Sequence, residues 1–309
     1  MNEQIPFFDI TLHYLAPVGA VMILGLLGGN LARLIKLPRV TGYLLTGLLI
    51  GPSVLKLISY EVITSLSIIN DSALGLIMFA IGGVFERHHI KTVGKKVLWL
   101  TIGQSIGAIV CISVALHFAG LDWYTAILLG TIGVETAPAA TILVIREFEA
   151  KGEFTDTLIT VVATSNIVCI LGFQLVYAIN SLGSTENILL VILSPVYELG
   201  GSLVIGLAVG FLISKWEQRV HDQAELLMII IAGVMLVSGL AHSLDLQPLF
   251  ATLIMGAVTT NLSLMHRLVY IEMRQVEQPL YIAFFVMAGA SLHLDLLPVI
   301  GVAGILYLI

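Results

Sequence analysis

Charge is what this sequence has least of. Asp, Glu, Lys and Arg make up 11% of its 309 residues, against roughly 25% in an ordinary soluble domain. A chain so poor in charge cannot keep a large water-facing surface, which excludes a soluble globular protein. Cysteine is also scarce. Cys111 and Cys169 are the only two, and both fall inside apolar runs. That excludes a disulfide scaffold and a thiolate metal cluster, and reads as two buried, unpaired thiols. No G-x-G-x-x-G follows a strand pattern, so the chain offers no dinucleotide fingerprint. The start, "MNEQIPFFDI", lacks the basic residues of a cleavable signal peptide. No nucleophile–base pair and no metal-ligand cluster gathers at one membrane face. The expectation is a protein that is not an enzyme and needs no cofactor or resident metal. The net charge of −6 says little about partners, and no nucleic-acid partner is evident.

What the sequence does have is length of apolar run. Hydrophobic residues make up 58% of it, and a helix needs about 20 apolar residues to cross a bilayer. The pattern predicts spans at 14–34, 40–58, 68–85, 97–119, 124–145, 155–180, 186–213, 225–243, 247–262 and 279–292. An eleventh begins near 296. The fold class is therefore all-α: a polytopic membrane bundle with short connections and no soluble domain over 1–309. The last span runs to "GVAGILYLI" without a polar cap, so the chain reads as part of a longer protein. The basic residues test the span count. Alternate loops hold Arg33, Lys36 and Arg39; Arg87, Lys91, Lys95 and Lys96; Arg146 and Lys151; Lys215 and Arg219; Arg267 and Arg274. Only Lys56 lies on the other side. This puts the N-terminus outside and the "ERHHIKTVGKK" loop (86–96) in the cytoplasm, where His88 and His89 join a basic surface suited to anionic lipid.

The spans repeat. "LGLIMFAIGGVFERH" (74–88) is echoed by "LYIAFFVMAGASLHLD" (280–295), and "VTGYLLTGLLIGPS" (40–53) more weakly by "LFATLIMGAVTTNLS" (249–263). Members of each pair stand seven spans apart and so cross in opposite directions, the plan of an inverted repeat. The fifth span is the unusual one. "IGVETAPAATILVIRE" (132–147) sets Glu135 close to Pro138. Proline removes a backbone donor and clashes with the preceding turn, so the helix is expected to break within 133–139. Broken backbone at membrane depth belongs where it is buried in protein or lines a wet cavity. A carboxylate there costs at least about 2.5 kcal/mol and marks an ion or proton path. Glu135 and the Thr136 hydroxyl are thus candidate cation and proton ligands, with Ala137 and Pro138 as the break. The plainer reading is a kinked packing helix whose glutamate is protonated or bonded to a neighbour.

Four stretches carry a resemblance. "LPRVTGYLLTGLLIGPSVL" (37–55), "LGLIMFAIG" (74–82), "TAPAATILVIREFEAKGEFTDTLITVVA" (136–163) and "FFVMAGASLHLDLLP" (284–298) resemble the monovalent cation:proton antiporter-2 family. That family includes sodium/proton exchangers and potassium-efflux systems, and the likeness runs from about residue 14 to the end. It implies thirteen spans in a core domain and a dimer domain. It also implies a fifth span unwound at Thr136, Ala137 and Pro138 that crosses an unwound twelfth. A basic residue in the eleventh span and the last two spans would lie past residue 309. So would the soluble nucleotide-binding regulatory domain common in potassium-efflux relatives.

The chain departs from the family where it matters most. The sixth span of relatives carries two acidic residues after "VVA-x", which hold ion and proton in turn. Here "VVATSNIVCILGF" (161–173) puts Ser165 and Asn166 in those positions, roughly 16 Å into the span at the helical rise. The third span of relatives often has an acid after "F-x-I-G-L"; Val84 stands there and Glu86 follows two positions on. Two readings result. In the first, Glu135 takes the titrating role and Thr136, Ser165 and Asn166 give neutral oxygens, the chain being a sodium or potassium:proton antiporter. In the second, the fold is kept as a sensor or regulatory module and proton-coupled exchange is lost. The first is preferred, because a midplane glutamate in the segment that forms the family's site is hard to explain as drift. Glu86 and Glu198 are secondary candidates; Glu198 also suits a dimer contact or a bond to a neighbouring helix. Gln104 and Gln174 read as inter-helix hydrogen bonders, and His117, His242 and Asp245 as groups near span ends. The implied setting is a bacterial inner membrane, with lipid, a monovalent cation and protons as partners and a homodimer as the assembly.

Overall fold

In hydrocarbon every backbone N–H and C=O must find a partner within the protein, so apolar runs of this length fold as helices. The computed structural model describes residues 3–5, 8–12, 15–181, 188–220, 222–263, 266–296, 301, 303, 304 and 307. A short antiparallel pair, β1 (Glu3–Ile5) and β2 (Phe8–Leu12), precedes an all-helical body. Its helices are α1 (Leu15–Leu34), α2 (Arg39–Ile50), α3 (Tyr60–Ser65), α4 (Ser67–Gly82), α5 (Arg87–Phe118) and α6 (Trp123–Ile132). They continue with α7 (Pro138–Glu147), α8 (Glu153–Ser181), α9 (Ile188–Trp216), α10 (Gln223–Ser243), α11 (Pro248–Leu262) and α12 (His266–Ala290). Among the described residues, six stretches within α1, α4 with its 3₁₀ extension, α5, α8, α9 with its extension, and α10 are long and apolar enough to cross a membrane. Four shorter apolar helices lie at Arg39–Ile50, Trp123–Ile132, Pro248–Leu262 and Gln278–Ala290.

Two expected boundaries move for identifiable reasons. The second span was expected to reach residue 58, but α2 stops at Ile50. Pro52 disfavours the helical region for the residue before it, and Gly51 is extended at φ −69°, ψ 174°. The tenth span was expected to open at Pro279, a good first position for a helix. Instead α12 begins at His266 and carries Pro279 inside it, at the loss of one ladder hydrogen bond. Most of the expected eleventh span lies outside the described residues, as do the side chains of His88, His89, Lys91, Arg267 and Arg274.

The chain divides into two compact units interleaved in sequence. One comprises Met1–Leu74, Leu143–Ala150 and Met273–Val299; the other comprises Gly75–Ile142, Lys151–Glu272 and Ile300–Ile309. In the first, α2 packs on the apolar half of α12. A β-carbon on Gly47 would stand 1.9 Å from the Val286 carbonyl oxygen, and one on Gly289 would stand 2.1 Å from that of Leu44. Only glycine permits so close an approach, which is how small residues join helices in membranes. In the second unit α4 packs on α11 by the same means. A β-carbon on Gly256 would stand 2.0 Å from the Phe79 carbonyl oxygen, and one on Gly82 would stand 2.2 Å from that of Leu253. The register is the same: Leu44 and Gly47 correspond to Leu253 and Gly256, and Val286 and Gly289 to Phe79 and Gly82. The repeat read from the sequence is thus written into the packing within each unit, one glycine–carbonyl joint made twice. The rest of the second unit is built on α9 against α11 and on α5, α6 and α8 against one another.

Candidate functional site

The site grows from the way α6 ends. The helix is opened by Asp122, whose Oδ2 accepts the Thr125 N–H at 2.9 Å. These backbone N–H bonds hold the Asp122 carboxyl below the ordinary carboxylate range. Ten residues later the ladder tightens: Val134 N–H donates to Thr131 O at 3.3 Å and Glu135 N–H to Ile132 O at 3.0 Å. These three-residue closures are typical of a last turn. Residues 135–137 then have no regular structure. Pro138 is the first residue of α7, where its missing N–H costs nothing, and its ring keeps Ala137 from continuing a helix. The Ala137 carbonyl accepts both the Thr141 N–H (3.1 Å) and the Thr141 hydroxyl (3.0 Å). The interruption covers 133–137, inside the expected window, with proline starting the second half-helix rather than kinking one.

Helix α8 runs unbroken past this gap and turns polar side chains to it. Ser165 is 0% exposed and Asn166 4%. Asn166 Nδ2 donates to Glu135 Oε1 at 2.7 Å, and the hydroxyls of Thr136 and Ser165 lie 3.1 Å apart. Ser165 has one hydroxyl proton, which it gives to Val162 O at 2.9 Å. Thr136 must then be the donor in the pair. Both hydroxyls spend their protons on protein and keep lone pairs to offer. Asn166 Oδ1 is buried and has no hydrogen-bond partner among the described residues. Glu135 keeps an exposed side, so its carboxylate is reachable while one oxygen is held by Asn166. The four expected ligands, Glu135, Thr136, Ser165 and Asn166, are therefore brought together.

Sequence reasoning missed two neighbours. Cys169 Sγ lies 3.9 Å from Glu135 Oε2 and 3.9 Å from Ile132 O. Its spacing of three from Asn166, one helical face, was the signal available. Tyr307 is the second, within electrostatic range of the Glu135 carboxylate. Gln104 behaves as expected of an inter-helix bonder: from α5 its Nε2 donates to Val134 O at 3.4 Å. The secondary candidates are elsewhere. Glu86 stands at the turn into α5, where Asn261 accepts the Arg87 N–H at 2.8 Å and donates to Phe85 O at 2.9 Å. Glu198 is bonded by Gln174. His117 stacks on Trp123 with centroids 3.9 Å apart, and His242 bonds Ser238 O within its own helix.

Comparison with known proteins gives a family and a fold. The model of the family described as "Sodium/hydrogen exchanger, transmembrane" matches residues 19–309. Among solved structures, the sodium proton antiporter MjNhaP1 from Methanocaldococcus jannaschii at pH 8 is similar with a TM-score of 0.73 and 22% identity, covering 95% of this chain and 74% of that one. An electron-microscopy structure of the same antiporter gives a TM-score of 0.76 at 22% identity, covering 95% and 73%. At that identity the likeness establishes the fold. A search of curated protein sequences finds no match.

Proposed function

The chain belongs to the sodium/hydrogen exchanger family, and from that premise we propose that it exchanges Na⁺ or K⁺ for protons at Glu135. The observation that carries this reading is the buried, unpartnered Asn166 Oδ1 beside a carboxylate at a helix break. A buried acceptor left without a donor is costly, and a cation is the partner that satisfies it. Glu135 Oε2, Thr136 Oγ1, Ser165 Oγ and Asn166 Oδ1 are then a mixed set of hard oxygens around one negative charge. Alkali cations accept such sets by the logic that governs Ca²⁺ and Mg²⁺. One carboxylate holds a proton or a cation, and each occupant excludes the other. That competition is what couples the two fluxes.

The setting is that of an integral membrane protein. The lysine and arginine pattern supports an outside N-terminus and eleven passes within 1–309, and the family resemblance a bacterial inner membrane. The motif resemblance supports the antiporter-2 branch, a homodimer and a regulatory domain beyond residue 309. One observation favours a second reading: Ser165 and Asn166 occupy the places of the branch's two acids, as in a module that keeps the fold and has lost exchange. The same experiment decides both. In proteoliposomes with an imposed pH gradient, addition of Na⁺, K⁺ or Li⁺ should collapse the gradient, and Glu135→Gln should abolish that response while the protein still inserts and folds. Wild-type exchange by Glu135→Gln would overturn the assignment of Glu135. A folded wild-type protein that moves no protons with any of the three cations would favour the sensor.

A further inference from the structure

A second carboxylate sits inside the apolar part of the chain, and every group the structure aims at it is a donor. Glu198, half-buried on α9, accepts Gln174 Nε2 at 2.6 Å and Gln247 Nε2 at 3.1 Å on Oε2, and the Ser194 hydroxyl at 3.0 Å on Oε1. Its backbone takes part as well. The Ser202 hydroxyl donates to Glu198 O at 2.5 Å and accepts the Gln247 N–H at 2.9 Å. Helix α8, helix α9 and the residue that opens α11 thus meet at one side chain. An ionised carboxylate only accepts, so it matches this ring of donors. A neutral amide would turn its own NH₂ toward one of them.

The place of Gln174 suggests what this carboxylate does. It follows Asn166 by eight residues on the same unbroken helix, about 12 Å along the axis. A grip on Gln174 therefore sets the height and rotation of the segment that carries Ser165, Asn166 and Cys169. The residues opposite, 135–137, have no regular structure of their own, so the spacing between ligands depends on where α8 is held. We propose that Glu198 is a positioning residue for the cation site: by binding Gln174 it fixes α8 against α9 and α11, and so sets the distance of Asn166 and Ser165 from Glu135 and Thr136. Its transport consequence rests on the reading of Glu135 as the exchanging ligand; its geometric content does not.

Cys169 provides a readout independent of transport. Cys111→Ser leaves it as the one cysteine, buried and 3.9 Å from Glu135 Oε2. In that background Glu198→Gln and Gln174→Leu should each speed labelling of Cys169 by a small maleimide. Each should also raise the half-saturating cation concentration by roughly tenfold, the loss expected for a hydrogen bond to a charged group. The double variant should be no worse than either single one, since both cut the same link. Glu198→Asp, which keeps the charge, should recover most of both properties. If Glu198→Gln fails to fold, Gln174→Leu decides alone, because it removes only the α8 end of the grip. Unchanged labelling and half-saturation in folded variants, or effects that add, would overturn the proposal. Should the wild-type protein move no cation, faster labelling of Cys169 in the variants still upholds the positioning role while the exchange reading falls. Unchanged labelling in that case removes both.

Discussion

Asn166 does two things with one amide: its nitrogen holds Glu135 at 2.7 Å and its oxygen is left without a donor. The two halves can be separated. Asn166→Leu deletes both and should raise the half-saturating cation concentration by about 10- to 100-fold, the range for hydrogen bonds to charged groups. Asn166→Asp keeps an oxygen there and adds a full charge beside Glu135. It should bind the cation more tightly than wild type and change the charge moved per cycle, read as dependence of exchange on an imposed membrane potential. An Asp variant that binds more weakly than Leu would show that the oxygen does not face the ion. Ser165→Ala should have a smaller effect than either, because that hydroxyl is one neutral ligand and its proton is already given to Val162 O. In the wild type, exchange should fall at acid pH as protons occupy Glu135, and added cation should move that fall to lower pH.

At the scale of the element, two predictions concern how helices begin and meet. Asp122 caps α6 and its carboxyl is held below the ordinary range by the Thr125 N–H. A group whose folded value is depressed contributes stability above its unfolded value and loses it as pH falls through the folded one. The contribution of this cap should therefore be present at neutral pH and vanish below about pH 4, the carboxylate range. Asp122→Asn keeps a capping oxygen and should remove that step from the pH dependence of thermal melting. The glycine joints make a paired prediction. Gly47→Ala and Gly256→Ala each drive a methyl group into a backbone carbonyl of the facing helix. Each should destabilise by about 1–3 kcal/mol, the usual cost of overpacking, seen as a lower melting temperature in detergent. Two very different costs would argue against equivalent joints. The sequence showed these glycines as echoes between segments, because a repeat preserves residue type at each joint. It could not show that the second span pairs with the tenth and the third with the ninth, since partner choice among apolar helices leaves no mark in local pattern. It also put the end of α2 too late by passing over the Gly51–Pro52 signal.

At the scale of the whole molecule, the apolar runs and the break in the fifth span were legible, because both follow from the cost of polar groups in hydrocarbon. The convergence of four ligands was legible in part. Depth along α8 put Asn166 level with Glu135, but the turn of the helix that also brings Cys169 to the carboxylate is a matter of packing. The duplicated joint has one more consequence, for direction. The repeated segments stand seven spans apart in the sequence, so the inverted-repeat reading has them cross in opposite senses. On that reading the joint itself favours neither leaflet. If the chain exchanges ions as proposed, the sign of net flux should then follow the two ion gradients. Right-side-out and inside-out vesicles given mirror-image gradients should exchange at rates within about a factor of ten, corresponding to less than about 1.4 kcal/mol between the two directions. A larger rectification would mean that something outside this paired frame sets the direction.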